Sequence, residues 1–424
     1  MVAAFKLPDL RGRILFVFAM FAVFVCGLHI PIPNIDRAMM NQLFEKGGDL
    51  LGLFDAFSGG ALRKFSIFAM GIIPYINASI IFQLLGMASP RIQELAREGE
   101  SGRRKISQYT RYLTIALAML QALGLTLMLR RQEVIVTPSV LGLVPMALTL
   151  TAGTAFLMWL GEQITDKGIG NGVSLIIFAG IMASVPYDVL RTWEALRSQV
   201  FGISNVAFLA IILVGTILAI VYMQQGQRKI PVQHAKRVVG TRMYSGSSTY
   251  LPLRVNSAGV IPIIFAISVA MFPATVAQFI PVPEAWEDMR ATVLRWFSPG
   301  NSAAGSTIYF LLVIFFTYFY TAVTFNVEEV SDNLKKSGGY VPGIRPGKPT
   351  RDYLDRVLVR LTLAGALFLG VIALMQFYVQ DITGVRTYTL VGGTSLLIVV
   401  GVALETMQQI EAHLVMRHYE GFIR

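Results

Sequence analysis

One cysteine, Cys26, stands in 424 residues. That excludes an internal disulfide and any cysteine cluster for a metal, and places Cys26 in ordinary helix packing. Charge is scarce as well. Asp, Glu, Lys and Arg make up 14% of the chain against 54% hydrophobic residues. The charge present avoids the centres of the apolar runs. His29, Arg111, Glu162, Arg360 and Glu405 fall near run ends, whereas a secondary transporter usually carries ionisable groups inside its spans. A lone membrane histidine such as His29 reads as a packed interface residue, not a proton relay. HExxH, GxSxG and paired intramembrane aspartates are missing from the sequence. Gly343 to Thr350, GIRPGKPT, is one residue short of a phosphate loop, and Pro349 replaces the hydroxyl that would hold magnesium. No cofactor, metal or enzymatic activity is expected, so a partner has to supply any energy the protein uses.

Long apolar runs dominate what is present. Mean hydropathy is +0.60, which points to a polytopic membrane protein. Spans are expected at about 14–32, 68–88, 107–129, 140–160, 170–186, 204–224, 255–280, 306–327, 357–379 and 386–406. The fifth is short and opens at the glycine-rich Gly168 to Gly172. Lys6, Arg11 and Arg13 precede the first run, and no small-x-small cleavage site follows it, so it reads as an uncleaved span. No long low-complexity linker divides the chain, which is read as one membrane domain, 1–424. Taking the termini and the alternate connections as one face, that face holds 25 of the 36 Lys and Arg and 14 of the 25 acids. The entire net charge of +11 lies there, which assigns that face and both termini to the cytoplasm.

Three stretches carry more than hydropathy. Phe57 to Met87, FSGGALRKFSIFAMGIIPYINASIIFQLLGM, reads as a short helix-like piece with Arg63 and Lys64, a break, and a spanning helix with Pro74. Broken helices at membrane depth are tolerated only where protein covers them or water lines them. Two connections, about 225–253 and 327–355, are long and basic and mix in Tyr, Val, Pro and Gly. Such loops are more often functional than connective, and these suit an acidic partner. Pro342 and Pro346 flank Arg345 and restrict the backbone that presents it. Uncharged polar residues recur in the spans: Asn77, Ser79, Gln83, Gln121, Asn256 and Ser257. They fit either ordinary interhelical hydrogen bonding or a separable seam.

Several segments together resemble the SecY family of protein-translocation channels: Phe57–Leu85, Glu98–Tyr112, Phe156–Ile181, Leu251–Pro262, Asp332–Thr350 and Gly392–Glu405. The resemblance implies an all-α integral membrane protein of ten transmembrane helices. They would form two pseudo-symmetric five-helix halves, 1–186 and 187–424, around a central hourglass pore. A short plug helix from about Asp55 would close it, formed of Phe57, Ser58, Gly59, Gly60, Ala61, Leu62, Arg63 and Lys64. Ile72, Ile76, Ile177, Ile264 and Ile398 match the apolar pore ring. Asn77, Gln83, Gln121 and Asn256 match polar positions of a lateral gate between the second and seventh spans, and Asn77 stands where many relatives carry a small hydroxyl residue. Docking of the SecA motor ATPase or the ribosome would use the two basic loops: Arg228, Lys229, Lys236, Arg237 and Arg242 in the first, Lys335, Lys336, Arg345 and Lys348 in the second. SecE and SecG are the implied subunit partners, with signal sequences and membrane lipid at the gate. No nucleic acid is implied beyond ribosomal RNA contact, and the implied membrane is the bacterial plasma membrane. The implied mechanism is passive conduction of unfolded polypeptides, with sideways insertion of membrane proteins. The alternative from another class is a small-solute secondary transporter with broken helices.

Overall fold

The computed structural model describes residues 7–46, 55, 58–136, 140–234, 237–239, 242–244, 248–279, 288–289, 292, 296, 300, 302–385 and 393–420. Helix α1 (Pro8–Leu28) starts on a proline, whose missing N–H is unpaired there in any case. A short polar helix, α2 (Arg37–Lys46), follows. Residues 59–72 run in successive turns before α3 (Ile73–Ala88), α4 (Pro90–Arg97) and the 32-residue α5 (Glu100–Arg131). Next come α6 (Val140–Lys167), α7 (Gly172–Arg197) and α8 (Ile203–Gln225). Strands β1 (Gln227–His234), β2 (Arg237–Val239), β3 (Arg242–Tyr244) and β4 (Ser248–Arg254) precede α9 (Ile261–Phe279). Helices α10 (Ala303–Thr324) and α11 (Val327–Lys336), strand β5 (Gly339–Tyr340), α12 (Lys348–Thr383) and α13 (Gly393–Glu420) complete the order.

Among the described residues, eight helices are long and apolar enough to cross a membrane, and shorter apolar stretches occupy α3 and α9. The expected second and seventh spans fall on these two. Several boundaries differ from the expectation. The second span begins at Ile73 rather than Phe68, because positive φ at Phe65 and Gly71 keeps the preceding apolar residues in turns. Pro74, expected within a helix, sits in its first turn. The fifth span begins where the Asn171 side chain accepts from the backbone N–H of Val173 and Ser174, at 3.1 and 3.3 Å. It runs on to Arg197, well past 186. Asn256 and Ser257 lie in the turn before α9, not on it. Residues 386–392 of the expected tenth span lie outside the described residues. Cys26 is exposed on α1 rather than packed.

A small sheet adds to the helical frame. β1 pairs antiparallel with β4, from Gln227 opposite Arg254 to Gln233 opposite Ser248. Its far end pairs with β5, Gln233 opposite Tyr340 and His234 opposite Gly339. Strand order is therefore β4-β1-β5, and the two long basic loops share one sheet. Ile230 and Val232 alternate inward along β1, and Ile230 packs with Leu253, Val341 and Leu354. In the helical body, α10 packs on α12 and α9, α5 on α6 and α3, and α13 along α7 and α8.

Candidate functional site

Five isoleucines from four separate segments come together in one cluster. Ile72 precedes α3, Ile76 lies in its first turn, and Ile177, Ile264 and Ile398 lie on α7, α9 and α13. Ile72, Ile177 and Ile398 are 3%, 4% and 1% exposed. Ile76 and Ile264 are half-buried against the same cluster, which also holds Ala61, Phe24, Phe68, Leu157 and Val402. β-Branched side chains are stiff at χ1. Such a contact zone offers water no hydrogen bonds and excludes it together with its ions.

The segment leading into this cluster is folded by its own polar groups. The Ser58 hydroxyl donates to the Asp55 carbonyl (3.0 Å) and accepts from the Leu62 N–H (3.2 Å). Asp55 Oδ1 accepts from the Arg63 N–H at 2.8 Å, and the Gly60 N–H donates to the Asp55 carbonyl at 2.9 Å. Burial pushes the Asp55 carboxyl above the usual carboxylate range, against the pull of the backbone donors and the Arg63 charge. Asp55 and Ser58 are helical, and Gly59 and Gly60 take φ of +71° and +79°, so the chain turns tightly from Gly59 on. A Cβ at Gly59 would lie 2.7 Å from Gly180 Cα on α7. Phe57 lies outside the described residues.

The far end of the segment is tied to the stretch after α1. The Ile32 N–H donates to the Phe65 carbonyl (2.9 Å) and the Ile67 N–H to the Ile30 carbonyl (3.1 Å). The Arg63 guanidinium stacks on Phe44 of α2, 5.2 Å from the ring centre. Lys64 Nζ lies 3.1 Å from His29 Nε2, while His29 Nδ1 lies 2.9 Å from the Val25 carbonyl. Nδ1 thus donates to the carbonyl and Nε2 accepts from the ammonium. His29, expected in a packed interface, is instead an exposed tether for this segment.

The four seam residues form no polar bridge. Gln83 Nε2 donates to Ser79 one turn away (3.2 Å), and Asn256 Nδ2 donates to the Gly259 carbonyl within its own turn (3.0 Å). Asn256 Oδ1 is buried without a partner among the described residues. No hydrogen bond among the described residues links Asn77, Gln83, Gln121 and Asn256 to one another. What crosses from α3 to α9 is apolar: Ile80 packs in one cluster with Ile263 and Ile267. The turn satisfies one of the two Asn256 amide N–H groups locally, and neither the second N–H nor Oδ1 bonds to Asn77, Gln83 or Gln121. Charged residues near the run ends pair within the first group of helices, Arg111 Nε with Glu162 Oε1 at 2.7 Å.

Basic residues gather around the shared sheet. Arg228 and Lys229 on β1, Lys335 and Lys336 at the end of α11, and Arg345 and Lys348 beyond β5 are exposed. Arg237 and Arg242 lie on β2 and β3, and Lys236 is outside the described residues. Arg345 sits between Gly343 and Gly347, whose φ values are +80° and +97°. The Arg345 carbonyl accepts from Thr350 Oγ1 at 2.8 Å, and the Gly347 carbonyl from Ser331 Oγ at 3.1 Å. Sequence reasoning missed that the loops are joined. The alternation in KIPV was its one local signal.

The SecY family model matches residues 66–407. The chain is 47% identical over 428 residues to the protein translocase subunit SecY of Halalkalibacterium halodurans, covering 99% of this chain and 98% of the relative. Among solved structures it superposes on a protein conducting channel with a TM-score of 0.68 at 19% identity, covering 96% and 93% of the two chains. It superposes with a TM-score of 0.65, also at 19% identity, on Sec61 in a canine ribosome-channel complex, covering 96% and 93%.

Proposed function

The chain belongs to the SecY family of protein translocase subunits, and from that premise we propose how its parts serve a protein-conducting channel. It is a multi-pass membrane protein. Its path runs between two five-helix halves, the first ending with α7 and the second beginning with α8, with α3 and α9 completing ten crossings. The isoleucine cluster is the constriction. At rest it keeps ions back by offering water no hydrogen bonds. An extended chain passing through it meets only apolar groups, which do not hold it.

Residues 55–64 are the plug. Ala61 reaches the isoleucine cluster, and the ties at Phe65 and Ile67 leave the portion before them as the part that moves. The exit to lipid opens where α3 meets α9, a seam of dispersion contacts that parts without stranding polar groups. The shared sheet is the docking platform for the SecA motor ATPase or the ribosome, with SecE and SecG as bound subunits. The platform faces the cytoplasm with both termini, in the bacterial plasma membrane.

The single observation carrying this reading is the convergence of five isoleucines from four separate segments, with plug residue Ala61 beside them. Ile398→Asn places an amide at the constriction and tests it. Reconstituted channels carrying it are expected to leak ions at rest and to export proteins with defective signal sequences. Ile177→Asn should act in the same direction, and Ile177→Leu should change little. A variant with Asn at 398 that stays as tight as the parent would remove Ile398 from the constriction.

A further inference from the structure

Helix α7 continues past the length that a span requires, and its extension is two-sided. Asp188, Thr192, Ala195 and Leu196 recur at helical spacing on one side. Asp188 is buried, and Ala195 and Leu196 pack on the cluster of Phe201, Leu209 and Val379. Tyr187, Leu190 and Trp193 face away from that cluster, 51%, 60% and 54% exposed. Two arginines lie over these rings. Arg191 is 4.8 Å from the Tyr187 ring centre and Arg197 is 5.2 Å from that of Trp193. Neither arginine has a carboxylate partner among the described residues. Exposed Glu194 shares the face, leaving it one net positive charge.

Height decides what such a face meets. Helix α8 begins just after α7 ends and runs back to the sheet, so the extension lies at the end of the bundle away from the basic platform. At about 1.5 Å per residue, Trp193 stands roughly 32 Å and Arg197 roughly 38 Å beyond Gly172. A hydrocarbon core is about 30 Å thick and its headgroup layers add about 10–15 Å in all. Trp193 therefore falls at the edge of the hydrocarbon and Arg197 among the headgroups, while Arg191, at roughly 28 Å, lies just inside the edge and reaches the headgroups by snorkelling, at a level where aromatic residues and such cations gather.

We infer that the last turns of α7 form a binding face for anionic glycerophospholipids in the leaflet opposite the basic platform. Arg191 and Arg197 contact lipid phosphates, and Tyr187, Leu190 and Trp193 seat on the acyl boundary. Planar guanidinium groups suit phosphate oxygens and are held ready by stacking. This face fixes the height of the helix that carries Ile177 and supports Gly59.

The full chain keeping Trp193 as its only tryptophan, with Trp159→Phe, Trp286→Phe and Trp296→Phe, tests this in nanodiscs. The discs contain brominated phosphatidylglycerol or brominated phosphatidylcholine at one mole fraction. Surface charge attraction predicts local enrichment of the anionic lipid by about fivefold per guanidinium, so the anionic quencher should act more strongly. Arg191→Gln with Arg197→Gln should equalise the two quenchers, and Arg→Lys at both should keep a preference that salt weakens. Equal quenching in the parent would overturn the inference in favour of an unselective interface. Absence of quenching by either lipid would overturn it in favour of a protein covering the face.

Discussion

Gly59 has no room for a side chain. An added methyl would meet Gly180 Cα at 2.7 Å, and φ of +71° disfavours any L side chain. A non-glycine residue there costs about 1–2 kcal/mol in backbone strain alone, before the clash. Gly59→Ala is expected to displace the plug and raise resting conductance in single-channel recordings. Gly60→Ala separates the two causes, since its φ is +79° but nothing lies within 4 Å of an added Cβ. It should leak less than Gly59→Ala, and equal leakage would assign the whole effect to strain. Lys64→Met breaks the contact with His29 and should free the plug more weakly, because that pair is exposed. These residue-level features were unevenly legible. The isoleucines were nameable only through a family resemblance, since nothing local distinguishes Ile398 from a lipid-facing isoleucine. Gly59 stood within a recognisable glycine pair, but its partner lies on a distant helix.

In the proposed channel, the seam between α3 and α9 sets how readily it opens sideways. Ile80 and Ile267 belong to one buried cluster, so Ile80→Cys with Ile267→Cys should form a disulfide in the resting channel. Locking the seam is expected to block both secretion and membrane insertion, measured as protease-protected and membrane-integrated substrate. Cross-linked channels that insert substrate normally would place the exit elsewhere. Helices were readable from hydropathy because long apolar runs leave few other structures in lipid. Their ends were less so. Residues 68–72 are as apolar as a span yet run in turns, since a positive φ at Gly71 depends on local conformation and not on hydropathy. Helix α7 outlasted its prediction because amphipathic residues after Pro186 lower hydropathy without breaking the helix. Isoleucine contacts close the seam, while Gln83 bonds to Ser79 on its own helix and Asn256 Nδ2 to Gly259 in its own turn. The sheet was hidden because its partners, β1 and β5, come from different loops.

Over the whole molecule, charge and size divide the tasks. Exposed basic residues gather around the shared sheet, and among them Arg345 projects from a turn bounded by two left-handed glycines. Arg345→Glu is expected to lower motor-driven or ribosome-coupled translocation by an order of magnitude or more, because like charges across an interface cost several kcal/mol. Isolated channels should keep their resting conductance. Unchanged translocation by a folded variant would remove Arg345 from docking. Because β5 and β4 flank β1 in one sheet, force applied at either loop is felt by both. The length of α3 bears on the surrounding bilayer. Its 16 residues rise about 24 Å, short of a hydrocarbon core of about 30 Å, while Ile81, Leu84 and Leu85 are exposed along it. The apolar turns of residues 68–72 make up part of the difference, and lipid beside α3 thins to meet the rest, at a fraction of a kcal/mol for each Å of hydrophobic mismatch. With the exit at this seam, as proposed, an apolar segment released there would displace strained lipid, and the relief it gains would grow with bilayer thickness.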